Sequence, residues 1–379
     1  MIYLDNSATT QIDTEVVESM LPWLYEEYGN PSSIYSLGRK ARVAIENART
    51  EIAHALHAHP AEIIFTSGGT ESNNTVLKSC IHESQLVNAL AISSIEHHAI
   101  IHPAESLSKQ GIPVQYINVN HDGIILTEEL QNYQLDNTLI SIMHANNEIG
   151  SIQPIKDIKD LLPSSALLHS DAVQSFGKIP VHVDELGIDF LTISAHKIHG
   201  PKGIGAMFIK KGIDFKAHQQ GGGQERNRRA GTESPALIVG FQTAVRIAMN
   251  QLEKNAIHMY SLKQFLIKHI TSLIPDIQIN GPIDTKTSLP SIVNVSFPDR
   301  PNIDGESLLQ MMDIQDIAVS NGSACVSGSQ QPSHVLSAMG RSQKEAKAAI
   351  RFSFSKYTTE TEIFTAIHTL KDILDSFES

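Results

Sequence analysis

Cysteine is nearly absent: the 379 residues include two, Cys80 and Cys325. Two thiols so far apart exclude a disulfide framework and any cysteine-rich metal centre. Positive charge is also short, with 29 Lys and Arg against 41 Asp and Glu, a net charge of −12. That balance excludes a basic face for nucleic acid or an anionic membrane. No stretch approaches the roughly twenty apolar residues of a membrane span. Met1-Ile2-Tyr3-Leu4-Asp5 carries no basic region ahead of an apolar run, so the expected location is the cytoplasm. Internal repeats and low-complexity tracts are missing too. What remains, 41% hydrophobic and 18% charged, is the composition of a globular chain. Its length predicts one large domain with a smaller one.

Histidine is plentiful, at eighteen residues. His54, His57 and His59 end a helical pattern that Pro60 stops. Three imidazoles without ligand spacing read as polar surface, and no metal site is expected.

A helical segment from Asp13 to Glu27 ends in the loop Gly29-Asn30-Pro31-Ser32-Ser33, and Arg39 to Ala58 is an amphipathic helix. Then an alternation begins. Ile63–Thr66, Ala89–Ser93, Val114–Val119, Leu139–Met143, Leu167–Ser170 and Phe190–Ile193 are short apolar runs with helical or loop connections. Strands apolar throughout and separated by helices indicate a mainly parallel sheet with helices on both faces. Ligands of such sheets sit at the carboxyl ends of the strands. From Ser234 to Leu273 the pattern is one long helical connector into a second unit. That unit carries the strand Ile292–Phe297, a helix from Gly305 to Met312, a Ser/Gly-rich loop over 320–333, and a last strand from Ala349 to Ser353 before a closing helix.

The polar clusters at the strand ends carry the chemistry. Ser67-Gly68-Gly69-Thr70 lies between a strand and a helix and can hold a phosphate on backbone N–H groups, though a plain glycine turn capped by Thr70 has the same appearance. His97 opens the helix after the next strand, where an imidazole can stack on a flat ring. Asp171 follows a strand and can keep a pyridine nitrogen protonated, with Gln174 near a phenolic oxygen. Lys197, in Ser194-Ala195-His196-Lys197, sits at the mouth of a buried strand, where desolvation lowers an amine's pKa and lets it attack a carbonyl. Each alone has an ordinary structural explanation. In this order along a strand-and-helix alternation, they match the needs of pyridoxal 5′-phosphate. The run Gly200-Pro201-Lys202-Gly203-Ile204-Gly205 leads into a strand rather than a helix, which disfavours dinucleotide binding.

Here the chain resembles the cysteine desulfurases of fold-type I pyridoxal-phosphate enzymes, the NifS/IscS group related to class V aminotransferases. The motifs are Tyr3–Thr10, Gly29–Ser33, Thr66–Asn74, Glu96-His97-His98, Asn146-Asn147-Glu148-Ile149-Gly150, Asp171–Gln174 and Ser194–Gly205. Arg229–Thr232, Ser323-Ala324-Cys325, Pro332–Leu336 and Arg351-Phe352-Ser353 complete them. The resemblance runs from residue 3 to about residue 365. It implies a large cofactor-binding domain over 13–255 and a small α+β domain from 1–12 and 256–379 that carries the cysteine loop 320–333. It also implies roles. Lys197 is the Schiff-base lysine, Asp171 pairs the pyridine nitrogen, Gln174 the ring oxygen, and His97 stacks on the ring and shuttles protons. Gly69, Thr70, Ser194 and His196 hold the phosphate, and Thr232 reaches the phosphate of a neighbouring subunit in a homodimer. Asn146 and Arg351 bind the substrate, Arg351 on its α-carboxylate, and Asn146 counts among the cofactor contacts.

Cys325 lies in a small, polar stretch with only Val326 apolar. An ordinary thiol pKa of about 8.5 needs only a small shift to supply thiolate. The resemblance makes it the nucleophile that takes sulfur from L-cysteine as a persulfide, releasing L-alanine, and passes it to an acceptor protein. Its spacing from Pro332 resembles the long-loop members. Cys80 reads as packing. Tyr35 and Gln331 depart from residues common in the family. The short stretch after the last helix favours a tRNA-thiolating acceptor over an iron–sulfur scaffold. The alternatives are a selenocysteine lyase or aminotransferase of the same fold, or a cofactor-free sulfur carrier, which needs Cys325 but not Lys197.

Overall fold

A computed structural model of the chain describes residues 1–298, 303, 305–321 and 332–377. The chain opens with a two-residue strand, β1 (Ile2–Tyr3), then two short helices, Thr14–Met20 and Pro22–Tyr25, and a long one, Ser36–Ala55. The expected single helix over 13–27 is broken because Pro22 has no N–H to continue the ladder.

Seven strands make the central sheet: β2 (Ile63–Thr66), β3 (Ala89–Ser93), β4 (Val114–Ile117), β5 (Thr138–Ser141), β6 (Leu167–Asp171), β7 (Phe190–Ser194) and β8 (Gly205–Ile209). Their order is β2-β8-β7-β6-β5-β3-β4. All neighbouring pairs from β7 to β4 are parallel, and β8 runs antiparallel to both β7 and β2. This is the α/β sheet expected of the fold.

Alternation along each strand divides the side chains between two covered faces. Phe65, Ala91, Ile140, Leu168, Leu191 and Phe208 pack under Ser36–Ala55 and the helix Pro235–Asn250. Ile64, Leu90, Leu139, Phe190 and Met207 pack on the other face, under Gly69–Lys78 and His98–Lys109, together with a fully buried Cys80.

The connector expected to run unbroken from 234 to 273 is two helices, Pro235–Asn250 and Leu252–Leu273, meeting at Gln251, whose φ of −117° leaves the helical range. The second helix opens a separate core. Its Met259, Leu262, Leu266 and Ile270 pack with Val293, Phe352 and the last helix, Glu360–Ser376. There β9 (Gln278–Asn280), β10 (Ile292–Ser296) and β12 (Ile350–Ser353) form an antiparallel sheet in the order β12-β10-β9. β11 (Ile317–Ala318) pairs in parallel with β1, and Leu4 packs into this second core. The chain's first residues therefore start in one unit and run toward the other.

Candidate active site

The carboxyl ends of β2, β3, β6 and β7 open on one cavity of about 400 Å³. Gly69, Thr70, His97, Asp171, Gln174, Ser194, His196, Lys197 and Arg351 all line it. The residues from Gly69 to Lys197 are brought together because parallel strands put their connecting loops on one edge, and Arg351 reaches the cavity from the second unit.

Asp171 is the last residue of β6 and is buried. It accepts hydrogen bonds from Asn73 Nδ2 at 2.7 Å and from the Val173 N–H at 2.9 Å. Burial raises its pKa, against the pull of those two bonds and of Lys197. Lys197 ends a single tight turn after β7. Its Nζ donates to the Ser7 carbonyl and, at 2.6 Å, to the Ala8 carbonyl. His97 caps the helix His98–Lys109 by accepting the Ala99 N–H on Nδ1 at 3.1 Å. Burial, helped by Lys197, depresses its pKa to about 4, so it is a neutral imidazole whose proton is left to Nε2. Burial likewise lowers His196 to about 4, and its Nδ1 lies 3.2 Å from Thr9 Oγ1.

Gly68 and Gly69 begin the helix after β2. Gly68 holds φ at +150°, a conformation that disfavours side chains. A Cβ on Gly69 would lie 2.9 Å from Val173 Cγ2. Gly205 allows a closer approach than Gly69: a Cβ there would meet the Ile193 carbonyl at 2.6 Å and Gly68 Cα at 2.8 Å. The glycine turn thus rests directly on β8, with the helix N-terminus of Gly69–Lys78 and its N–H groups turned toward the cavity end lined by Thr70, Ser194 and His196.

At the other end stands Arg351, on β12 of the second unit and buried. It donates to the Asn147 carbonyl at 2.8 Å and pairs with Asp5 at 2.7 Å, leaving its buried Nε without a partner. Asn146 is not among the residues lining this cavity. Its amide is fully buried, donating to the Ile95 carbonyl and accepting the N–H groups of Glu148 and Ile149. It shapes the loop, while the next residue, Asn147, lines the cavity.

Sequence reasoning also missed the wall made by Ser7 and Ala8, and Asn73, Val173, Glu148, His98 and His334, which all line the cavity. All of them sat inside recognised motifs, His334 within Pro332–Leu336, so a signal existed for each. Thr232 is exposed and is not among the residues lining this cavity. Cys325 and Gln331 lie outside the described residues. His57 sits not with His54 and His59 but stacked on His182, ring centroids 3.7 Å apart, beside Glu185. Nearly parallel rings point their nitrogen lone pairs side by side rather than at one ion.

The cavity fits pyridoxal 5′-phosphate on its own chemistry. A glycine turn at a helix N-terminus offers an anion cradle at one end. A buried carboxylate, whose pKa burial holds up, calls for a cationic N–H partner, and the adjacent Asn73 Oδ1 is buried without a hydrogen bond. A lysine stands between them.

Residues 2–365 match the aminotransferase class-V family. A cysteine desulfurase IscS of Dictyoglomus turgidum is 42% identical over 381 aligned residues, covering 100% of this chain and 95% of the relative. Among solved structures, a NifS-like protein superposes with a TM-score of 0.91 at 38% identity, covering 99% of both chains. A structure described as SspA in complex with cysteine has a TM-score of 0.82 at 34% identity, covering 95% of this chain and 100% of the other. The chain belongs to the aminotransferase class-V family, among its pyridoxal 5′-phosphate-dependent cysteine desulfurases.

Proposed function

We propose that the chain takes sulfur from L-cysteine, releasing L-alanine and leaving a persulfide on Cys325. The observation that carries this reading is the meeting of Lys197, Asp171, His97 and Arg351 at one cavity. Pyridoxal 5′-phosphate bound there supplies an electron sink conjugated to the substrate's α-carbon. Lys197 holds it, Asp171 meets its ring nitrogen, Gln174 its ring oxygen, and His97 stacks on the ring. Gly69, Thr70, Ser194 and His196 hold its phosphate. Arg351 would fork onto the substrate carboxylate, with Asn146 as the second substrate contact. Neutral His97 would take and return a proton at Nε2, and Lys197 would do so at Nζ.

The sulfur step balances within the protein and its substrate. The Cys325 thiolate attacks the substrate sulfur and an S–S bond forms. The substrate C–S bond breaks with its electron pair going to carbon, which takes a proton. The substrate carbon is reduced and the two sulfurs share the oxidation as a persulfide.

The finer reading has four parts. The chain divides into a large domain over 13–255 and a small one from 1–12 and 256–379. It works as a homodimer in which Thr232 reaches the neighbouring subunit's phosphate. It is cytoplasmic, consistent with the lack, among the described residues, of any helix long and apolar enough to cross a membrane. It hands sulfur to an acceptor protein, either a tRNA-thiolating enzyme or an iron–sulfur scaffold.

Purified protein is expected to show an absorption band near about 400 nm, lost in Lys197→Ala. Cys325→Ala keeps the band and loses alanine release. A colourless protein that cannot be reconstituted sinks the reading, and so does normal alanine release by Cys325→Ala, which would take the sulfur off without this thiol. Transfer of labelled persulfide sulfur to the two acceptor types decides between them.

A further inference from the structure

We propose that Lys178 is a positioning residue that fixes which edge of the Gln174 amide faces the cofactor. The inference rests on the cofactor reading above and adds a residue that reading does not use.

Lys178 is buried one turn beyond Gln174, its backbone N–H held by the Ser175 carbonyl at 3.0 Å. Its Nζ donates to Gln174 Oε1 at 3.0 Å. Gln174 Nε2 donates to the Ser7 carbonyl at 2.9 Å, the same carbonyl that accepts from Lys197. An ammonium only donates and a carbonyl only accepts, so the two contacts assign the amide without ambiguity. Oε1 is consumed by Lys178, and the second N–H of Nε2 is what remains for the cavity that Gln174 lines. That leaves Gln174 a donor, suited to a ring oxygen carrying negative charge.

Without Lys178 the amide keeps only its bond to the Ser7 carbonyl to hold this orientation. The terminal torsion of glutamine is broad and roughly two-fold, and a flipped amide would set a carbonyl against the ring oxygen. The charges around Lys178 also argue against a merely structural role. Lys197 and Arg351 act on it, it acts in turn on His196 and His199, and Lys356 lines the small cavity behind it. All are basic, and Arg351 and Lys356 are already paired with Asp5 and Asp13. Burial first, then Lys197 and Arg351, bring Lys178 down to about 7. An apolar side chain would fill this place at lower cost.

The test uses the reconstituted holoenzyme and the pH midpoint of its band near about 400 nm, with cofactor affinity as a second reading. Lys178→Met removes the donor; Lys178→Gln keeps an N–H for Oε1. Lys178→Met is expected to raise the midpoint by about 1 pH unit and weaken cofactor retention about 10-fold, while Lys178→Gln stays near the parent. On a Gln174→Ala background, Lys178→Met is expected to add nothing. An unshifted Lys178→Met, equal shifts in Lys178→Met and Lys178→Gln, or additivity with Gln174→Ala overturns the proposal. If Lys178→Met does not fold, Lys178→Gln decides: a midpoint matching the parent supports the proposal, and one matching Gln174→Ala overturns it. A parent protein with no band removes the cofactor reading itself, a distinct result from a band that does not move.

Discussion

Asp171 and His169 sit two residues apart on β6 and pay opposite costs for burial. Asp171 is held up in pKa by desolvation and waits for a cationic partner. Replacing it with asparagine keeps the size and removes the charge. Asp171→Asn is expected to lower turnover about 100-fold with unfolding little changed, checked by alanine release and denaturant titration. His169 is fully buried between Ser141 Oγ at 2.8 Å and Thr192 Oγ1 at 3.1 Å, and burial lowers its pKa to about 3. His144 is lowered to about 4 by the same cause. Both must stay neutral in the fold, so their stabilisation is present above the unfolded value near 6.5 and is lost as pH falls toward the folded values. The displacements correspond to about 5 kcal/mol for His169 and about 3 kcal/mol for His144 across those windows. Glu96, raised by burial, works in the opposite sense. Urea unfolding at pH 7 and near pH 4.5 should show a net loss of stability at the lower pH, and His169→Gln should flatten the slope.

At the scale of elements, the cradle depends on how closely β8 approaches the glycine turn. Gly205→Ala drives a methyl into the Ile193 carbonyl and Gly68. It is expected to cost about 2 kcal/mol and to weaken cofactor retention, measured by thermal unfolding and by dialysis of the holoenzyme. The loop holding Thr232 has its own anchor. Arg49 and Glu225 form a buried two-bond pair at 2.7 and 2.8 Å, and Glu225 also accepts the Phe65 N–H at 2.8 Å. Glu225, Arg226 and Asn227 all take positive φ, a strained run held by this pair. Arg49→Met strands the Glu225 carboxylate and is expected to cost about 3 kcal/mol, read in the same unfolding assay. The strands of the sheet were legible because buried parallel strands are continuous apolar runs; the positive-φ run was not, because nothing local favours it. Helix ends were misjudged where one residue decided, as at Pro22 and Gln251.

Across the whole molecule, the N-terminal segment ties the two cores to the site. Asp5 pairs with Arg351, Ser7 and Ala8 accept from Lys197, Ser7 accepts from Gln174, and Thr10 accepts the His199 N–H at 2.8 Å. If the homodimer reading holds, two defects complement. Lys197→Ala and Thr232→Ala chains mixed before assembly are expected to restore part of the activity that each homodimer lacks, read as alanine release after separation of the dimer by size. A monomeric, active protein would count against it.

The sequence by itself pointed to the cofactor class through the order of Gly69-Thr70, His97, Asp171 and Lys197 along a strand-and-helix alternation, and to the reaction through its resemblance to the cysteine desulfurases, because each residue taken alone has an ordinary structural explanation. It also determined the parallel sheet, since apolar runs between helices have few other arrangements. Only the tertiary structure decided that the Asn147 carbonyl holds Arg351, that Ser7 and Ala8 wall the site, and that Lys178 grips Gln174. Those depend on side-chain direction and on contacts between residues up to 190 positions apart, which no local pattern records.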